Sequence, residues 1–108
     1  MRNVIYISGP MTGYADHNYP EFNRVESFLQ DSFPEIVVVN PATLHPPGEH
    51  SREDCLRRDI KALCSCTDIY ILEGWSKSEG AKIEIAVAKA IGVRLTYQSK
   101  QAEEEKCS

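Results

Sequence analysis

Apolar and polar positions along the chain alternate between two periods. Residues Asn3 to Ser8 read Asn-Val-Ile-Tyr-Ile-Ser, a β-branched and aromatic run halted by Gly9-Pro10, which marks a short buried strand and a turn. From Pro20, whose fixed φ suits a first helical turn, Phe22, Val25, Phe28 and Leu29 recur at helical spacing until Pro34 forbids continuation, giving a helix over Pro20 to Ser32. Ile36 to Val39 is a second strand closed by Asn40-Pro41, and the Pro/His/Gly-rich stretch up to His50 has no period and reads as a long loop. Ser51 with Asp54 three positions on has the form of a capping box. Leu56, Ile60 and Leu63 then share one face of a helix ending near Cys66. Asp68 to Leu72 is a third strand, Glu79 to Ile91 a third helix stopped by Gly92, and Val93 to Tyr97 a fourth strand.

The order βαβαβαβ, with strands that show no polar alternation, requires cover on both sheet faces and parallel pairing through right-handed helical crossovers. The expected fold is therefore a three-layer α/β domain with a mostly parallel sheet of four to five strands and helices on both faces. Residues 1–98 make one domain. From Ser99 onward, with Glu103, Glu104 and Glu105 in a row, too few apolar groups remain to join the core, so a mobile acidic tail is expected over 99–108. In open sheets of this kind the ligand lies beyond the carboxyl ends of the strands, which singles out the loops Gly9–Asn18, Asn40–His50 and Glu73–Gly80.

Composition narrows the function classes. The 108 residues are 42% hydrophobic and 26% charged with a net charge of -4, ordinary for a globular domain and contrary to broad binding of nucleic acid polymers or anionic membranes. No basic start with an apolar core opens the chain, and no apolar run approaches the roughly 18 residues of a membrane span, so a cytoplasmic protein is expected. Cys55, Cys64, Cys66 and Cys107 form neither a CxxC pair nor a zinc pattern, though Cys64-Ser-Cys66 has the spacing to chelate a soft metal. They read as reduced structural thiols. His17, His45 and His50 stand in loops at spacings that define no metal site, and they read as solvated. Gly9-Pro-Met-Thr-Gly13 has the spacing of neither a Walker loop nor a dinucleotide fingerprint, which argues against an ATPase or a nicotinamide enzyme.

The most informative stretch runs from Trp75 to Gly92. Ser78 and Gly80 fall at a helix start, where unpaired N–H groups and the positive end of the dipole suit an anion such as a phosphate. Glu84 follows one turn inside. It reads either as a solvated helix glutamate or, with Val87 and Ala88 marking a semi-buried face, as a functional carboxylate. Asp59 shares a helix face with Cys55, Leu63 and Cys66, consistent with partial burial, and otherwise would pair on the surface with Arg52 or Lys61. Trp75 has two open readings, an indole stacked on a base or a cover for the core edge.

Taken together, Tyr6-Ile-Ser-Gly-Pro-Met-Thr-Gly13, Asp59, Asp68 and Ser78-x-Gly80-x-x-x-Glu84 resemble the nucleoside 2-deoxyribosyltransferase-like superfamily over nearly all the chain to Tyr97. The YISGPMTG opening, the Asn40-Pro41-Ala42 turn and the GWSKSEGAKIE segment look like small, often phage-encoded members of largely unassigned activity. The resemblance implies a Rossmann/flavodoxin-like domain and a cofactor-free, metal-free N-glycosidic chemistry. A glutamate, matched by Glu84 and ionised at neutral pH, attacks C1′ of a 2-deoxynucleoside, expels the base and forms a covalent deoxyribosyl intermediate. Tyr6 matches a tyrosine that holds this carboxylate, and Asp59 an aspartate near the base that acts as general acid once burial raises its pKa.

By the same resemblance, Gly9, Met11, Thr12 and Gly13 surround sugar and phosphate; Ser8, Trp75, Ser78 and Gly80 stand beside them as candidate substrate contacts, while Asp68 is retained as structural. Ser78 stands where nucleoside transferases carry an aspartate and so resembles the deoxynucleoside 5′-monophosphate N-glycosidases. Those hydrolases carry an arginine where this chain has Thr12, and Lys77 or Lys82 would have to supply the charge. The implied partner is a small nucleoside or nucleotide, with a homodimer or higher homo-oligomer as the assembly. Two alternatives stand beside the enzyme: a non-catalytic nucleotide-binding module of the same fold, and a subunit whose main role is assembly, the edge of the fourth strand being left to cover.

Overall fold

The computed structural model describes residues 2–44 and 51–99. The expectations for His45, His50, Cys107 and the tail beyond Ser99 lie outside the described residues. Seven regular elements follow in chain order: β1 (Val4–Ser8), α1 (Tyr19–Ser32), β2 (Val37–Val39), α2 (Arg52–Leu63), β3 (Asp68–Ile71), α3 (Glu79–Ile91) and β4 (Arg94–Tyr97). They agree with the predicted order and differ from the predicted bounds by a residue or so, except at one end. Helix α2 stops at Leu63, because the Ser65 hydroxyl and the Cys66 thiol donate to the Ala62 carbonyl at 3.0 and 3.3 Å and divert it from the helical ladder.

The helix ends follow the local chemistry. Ser51 Oγ accepts from the Asp54 N–H at 3.0 Å and Ser78 Oγ from the Ala81 N–H at 3.2 Å, each satisfying a donor that the first turn leaves unpaired. Gly92 closes α3 at φ 80, a left-handed conformation that a side chain would resist.

The sheet is four-stranded and wholly parallel, in the order β2-β1-β3-β4. Side chains on one face (Ile7, Tyr70, Leu72) pack against Phe22, Val25 and Leu29 of α1. Those on the other (Tyr6, Ile69, Ile71) pack against Leu63 of α2 and Ile85 and Ala88 of α3. The three layers therefore form because β1 and β3 carry apolar residues on both sides, each burial contributing roughly 1.5–3 kcal/mol. The chain leaves β1 toward one edge and returns through α2 to pair on its other side, so strand order reverses between β1 and β3. At such a reversal the connections diverge to opposite faces and leave a crevice at the carboxyl edge.

Gly9 sits at the exit of β1 against the Leu72 side chain. A Cβ built there would lie 2.7 Å from Leu72 Cβ and 2.8 Å from Cδ1, closer than packed carbons approach. Gly9→Ala is expected to lower stability by about 1–3 kcal/mol in urea denaturation. In combination with Leu72→Ala the two losses should sum to less than their separate values, because the second change removes the Cγ and Cδ1 part of the clash and leaves only the Cβ contact.

Candidate active site

Tyr6 and Ser8 are two positions apart on β1 and so point to the same face, the one covered by α2 and α3. The inward stripe of α3 consists of Ala81, Glu84, Ile85 and Ala88, which carries a carboxylate over the end of β1. Tyr6 Oη donates to Glu84 Oε2 at 2.7 Å, and Ser8 Oγ donates to Glu84 Oε1 at 2.7 Å. Both carboxylate oxygens are thus held by charge-assisted bonds from a strand, and Tyr6 and Ser8 are 0% exposed with Glu84 only 5%.

Burial pushes the Glu84 carboxyl up from 4.5 to about 7; the bonds from Ser8 and Tyr6 oppose the rise and the charge of Asp59 adds to it. This corrects the expectation of a carboxylate fully ionised at neutral pH, since desolvation outweighs two hydrogen bonds. Burial also drives Tyr6 well above its ordinary value, with the Glu84 and Asp59 charges acting in the same direction, so its phenol remains a donor.

Glu84 opens onto a cleft of about 940 Å³ at the carboxyl edge of the sheet. Of the residues singled out from sequence, Gly9, Met11, Thr12, Asp59, Ser78 and Gly80 also line it. Asp59 is buried, as its helix face suggested. Ser8 is not at the surface of the cleft; it lies beneath Glu84 as a clasp, and its place in the substrate-binding set is corrected accordingly. Trp75 and Gly13 are likewise absent from the lining. Trp75 packs on the α2/α3 side of the core and tilts against Tyr97 at a ring separation of 5.6 Å, so of its two readings the core edge is the observed one. Asp68 accepts from Thr67 Oγ1 at 2.7 Å and from Arg94 Nη2 at 3.1 Å at the opposite, amino end of β3, in keeping with a structural role.

Several lining residues were missed by the sequence reading. Arg52, at the first position of α2, adds a cation to the cleft lining beside the foreseen Lys77, just before α3, and Tyr14, His17 and Tyr19 also line it. The signal for Arg52 was present: in a βαβ unit every helix begins at the carboxyl edge, so first-turn residues are carried to the site by topology. His17 is exposed as expected yet belongs to this wall, in a segment where Asp16, His17 and Asn18 all adopt positive φ. Such backbone is costly for residues with a Cβ and accumulates near functional sites.

The first two N–H groups of α3, from Glu79 and Gly80, have no carbonyl within the helix to bond. A Cβ added at Gly80 would meet nothing within 4 Å, so backbone lies bare to the cleft at that point. Among the described residues no group of three His, Cys, Asp or Glu side chains is placed to hold a metal ion, Cys55, Cys64 and Cys66 are free thiols, and no helix is long and apolar enough to cross a membrane.

Residues 3–97 match a family model described as a domain of unknown function, DUF4406. The chain belongs to this family. No curated protein matches the sequence significantly. Among solved structures, this member of the family is similar to a 2-desoxiribosyltransferase from Leishmania mexicana, with a TM-score of 0.68 and 20% identity over 88% of this chain and 63% of that one. It is also similar to a 2-deoxyribosyltransferase from the psychrotolerant bacterium Bacillus psychrosaccharolyticus, with a TM-score of 0.68 and 15% identity over 87% of this chain and 70% of that one. The fold is nucleoside 2-deoxyribosyltransferase-like, and the chain spans 63% of the length of the Leishmania protein.

The raised pKa of Glu84 has a testable sign. Its folded value of about 7 exceeds the ordinary 4.5, so the stability that the neutral carboxyl provides is complete below pH 4.5 and is lost as pH rises through 7, a difference on the order of 3 kcal/mol. Glu84→Gln abolishes this titration. Thermal unfolding is expected to show the variant gaining on the wild type between pH 5 and pH 8; a gap that stays constant across this range would show that the carboxyl does not titrate in a buried site.

Proposed function

We propose that this protein cleaves or exchanges the N-glycosidic bond of a 2′-deoxynucleoside 5′-monophosphate through a glutamate nucleophile. The observation that carries the reading is the Glu84 carboxylate, buried at the base of a nucleotide-sized cleft and clasped on both oxygens by Tyr6 and Ser8. A carboxylate fixed in one orientation loses no rotamer freedom on attack, and a water-poor surrounding strengthens its interaction with an oxocarbenium-like transition state.

In this reading a Glu84 oxygen attacks C1′ and forms an ester bond. The C1′–N bond breaks, its electron pair passes to the base, and a solvent proton relayed by the Asp59 carboxylate makes the base a competent leaving group. Water, or the nitrogen of a second base, then attacks C1′, gives its proton to the Asp59 carboxylate and returns Glu84 as the free carboxylate. The hydroxyls of Tyr6 and Ser8 stabilise the carboxylate before attack and after release.

The start of α3, with the Glu79 and Gly80 N–H groups and Lys77 beside them, suits the 5′-phosphate. Gly80 and Glu84 are four residues apart, about 6 Å along the helix axis, a span compatible with one deoxyribose between anion and anomeric carbon. The cations of Arg52 and Lys77 on the wall support an anionic substrate in the absence of an arginine at Thr12.

Incubation with the four deoxynucleoside monophosphates, with free base followed by chromatography, is expected to show release that falls by ~10³-fold or more in Glu84→Gln. Binding measured by calorimetry without any release of base would instead identify a nucleotide-binding module. The rate should also rise with pH and level off above about 7, as the nucleophile ionises. Ser8→Ala removes a bond that lowers the Glu84 pKa, so the midpoint of this profile is expected to move to higher pH while the KM for the monophosphate stays near the wild-type value. An unmoved midpoint would show that the Ser8 bond does not tune the nucleophile.

A further inference from the structure

Helix α2 presents one continuous stripe to the cleft. Arg52, Cys55, Leu56 and Asp59 recur at three- and four-residue spacing, and all four line it. The two ends of the stripe differ. Asp59 is the deep end: it is buried, and its charge acts on both Tyr6 and Glu84, which puts it beside the clasped carboxylate. Arg52 stands two turns earlier, about 10 Å along the helix axis, and is exposed to solvent. Among the described residues no hydrogen bond or ion pair engages its guanidinium. Between the ends, half-buried Cys55 and Leu56 offer a nonpolar surface, and Tyr14 and Tyr19 line the same cleft. Such a lining suits a flat heterocycle, because apolar and aromatic groups cover its faces and leave its edges to the polar groups at either end.

We infer that Arg52 selects the base: its guanidinium donates to the exocyclic oxygen of an oxo base (guanine, hypoxanthine, uracil or thymine) and disfavours the amino bases adenine and cytosine. Within the N-glycosidic reading of the cleft, on which this assignment rests, Glu84 meets the anomeric carbon and Asp59 the part of the base nearest the sugar. The edge of the ring remote from the sugar then lies along α2 toward Arg52. On that edge a purine carries its C6 substituent, flanked by N7, and a pyrimidine its C4 substituent. A guanidinium has five N–H donors and no acceptor, so it completes bonds with O6 or O4 and, in a purine, with N7 as well. An amino group at the same position sets N–H against N–H and leaves donors on both sides unpaired, the kind of mismatch that discriminates strongly between otherwise similar ligands. Lys77 stands before α3, next to the Glu79 and Gly80 N–H groups, so phosphate and base call on different cations. Arg52 thus favours an anionic substrate at long range and reads its base at short range.

Matched substrates test this edge of the base. The 5′-monophosphates of deoxyinosine and deoxyadenosine differ in the C6 substituent, and those of deoxyuridine and deoxycytidine in the C4 substituent. The wild-type chain is expected to release base from the oxo member of each pair with a kcat/KM roughly 10- to 100-fold above that of the amino member. Arg52→Met keeps the length of the side chain without its donors, and thermal unfolding checks that this exposed substitution leaves the fold intact. It is expected to lower kcat/KM for the oxo members about 10-fold more than for the amino members. The intrinsic lability of each glycosidic bond is the same for both enzymes and cancels in that change of ratio. Arg52→Lys, which retains a donor, should keep part of the preference. An equal loss on all four substrates, the signature of a phosphate contact, would overturn the inference, and so would an unchanged ratio. Absence of base release from all four would sink the reaction assigned to Glu84 and leave the ratios to be read as Kd by calorimetry. There, an oxo preference lost in Arg52→Met sustains the base contact; equal affinities, or no binding at all, overturn it.

Discussion

The structure depends on one buried contact, the Glu84 carboxylate held between the hydroxyls of Tyr6 and Ser8. An acid 5% exposed in the centre of a small domain is costly, and its pKa of about 7 records that cost. The two hydroxyls reduce the penalty without removing it. A structural carboxylate would gain nothing from such a place, because an apolar side chain would fill it at lower cost. It lies at the end of β1, open to the cleft on one side.

The fold arranges this with little sequence. Strand β1 lies in the middle of the sheet, and its exit loop, the starts of α2 and α3, and the last strand residues all converge at one edge. Alternation along β1 sends Ile7 to the α1 side and Tyr6 and Ser8 to the side of α2 and α3, so a five-residue strand both anchors the core and holds the carboxylate. The packing of Gly9 on Leu72 fixes where the chain leaves that strand, and the cleft begins there.

Helix α3 links the site to the surface. One face supplies Glu84 and the core contacts Ala81, Ile85 and Ala88, its first turn faces the cleft, and its outer stripe remains apolar. Core packing and the geometry of the site thus meet in the same thirteen residues.

Much was legible in the sequence because it is locally encoded. Strands, helices and their order followed from period and from breakers such as Pro34 and Gly92. The caps at Ser51 and Ser78 followed from hydroxyl chemistry, and Glu84, Tyr6 and Asp59 were singled out through the family resemblance. Other features were not local. Ser8, placed among the substrate contacts, lies beneath Glu84 as a clasp, Trp75 packs at the core edge rather than in the cleft lining, and Arg52 is carried to the cleft by the topology of the βαβ unit. The near-neutral pKa of Glu84 also had no sequence signature, because it arises from desolvation by neighbours distant in the chain. The linear order determined what each segment becomes, since periodicity and capping act over a few residues. Which side chains surround a given atom was decided only when parallel pairing brought residues 6, 8, 59 and 84 together, because burial and electrostatic coupling depend on separation in space.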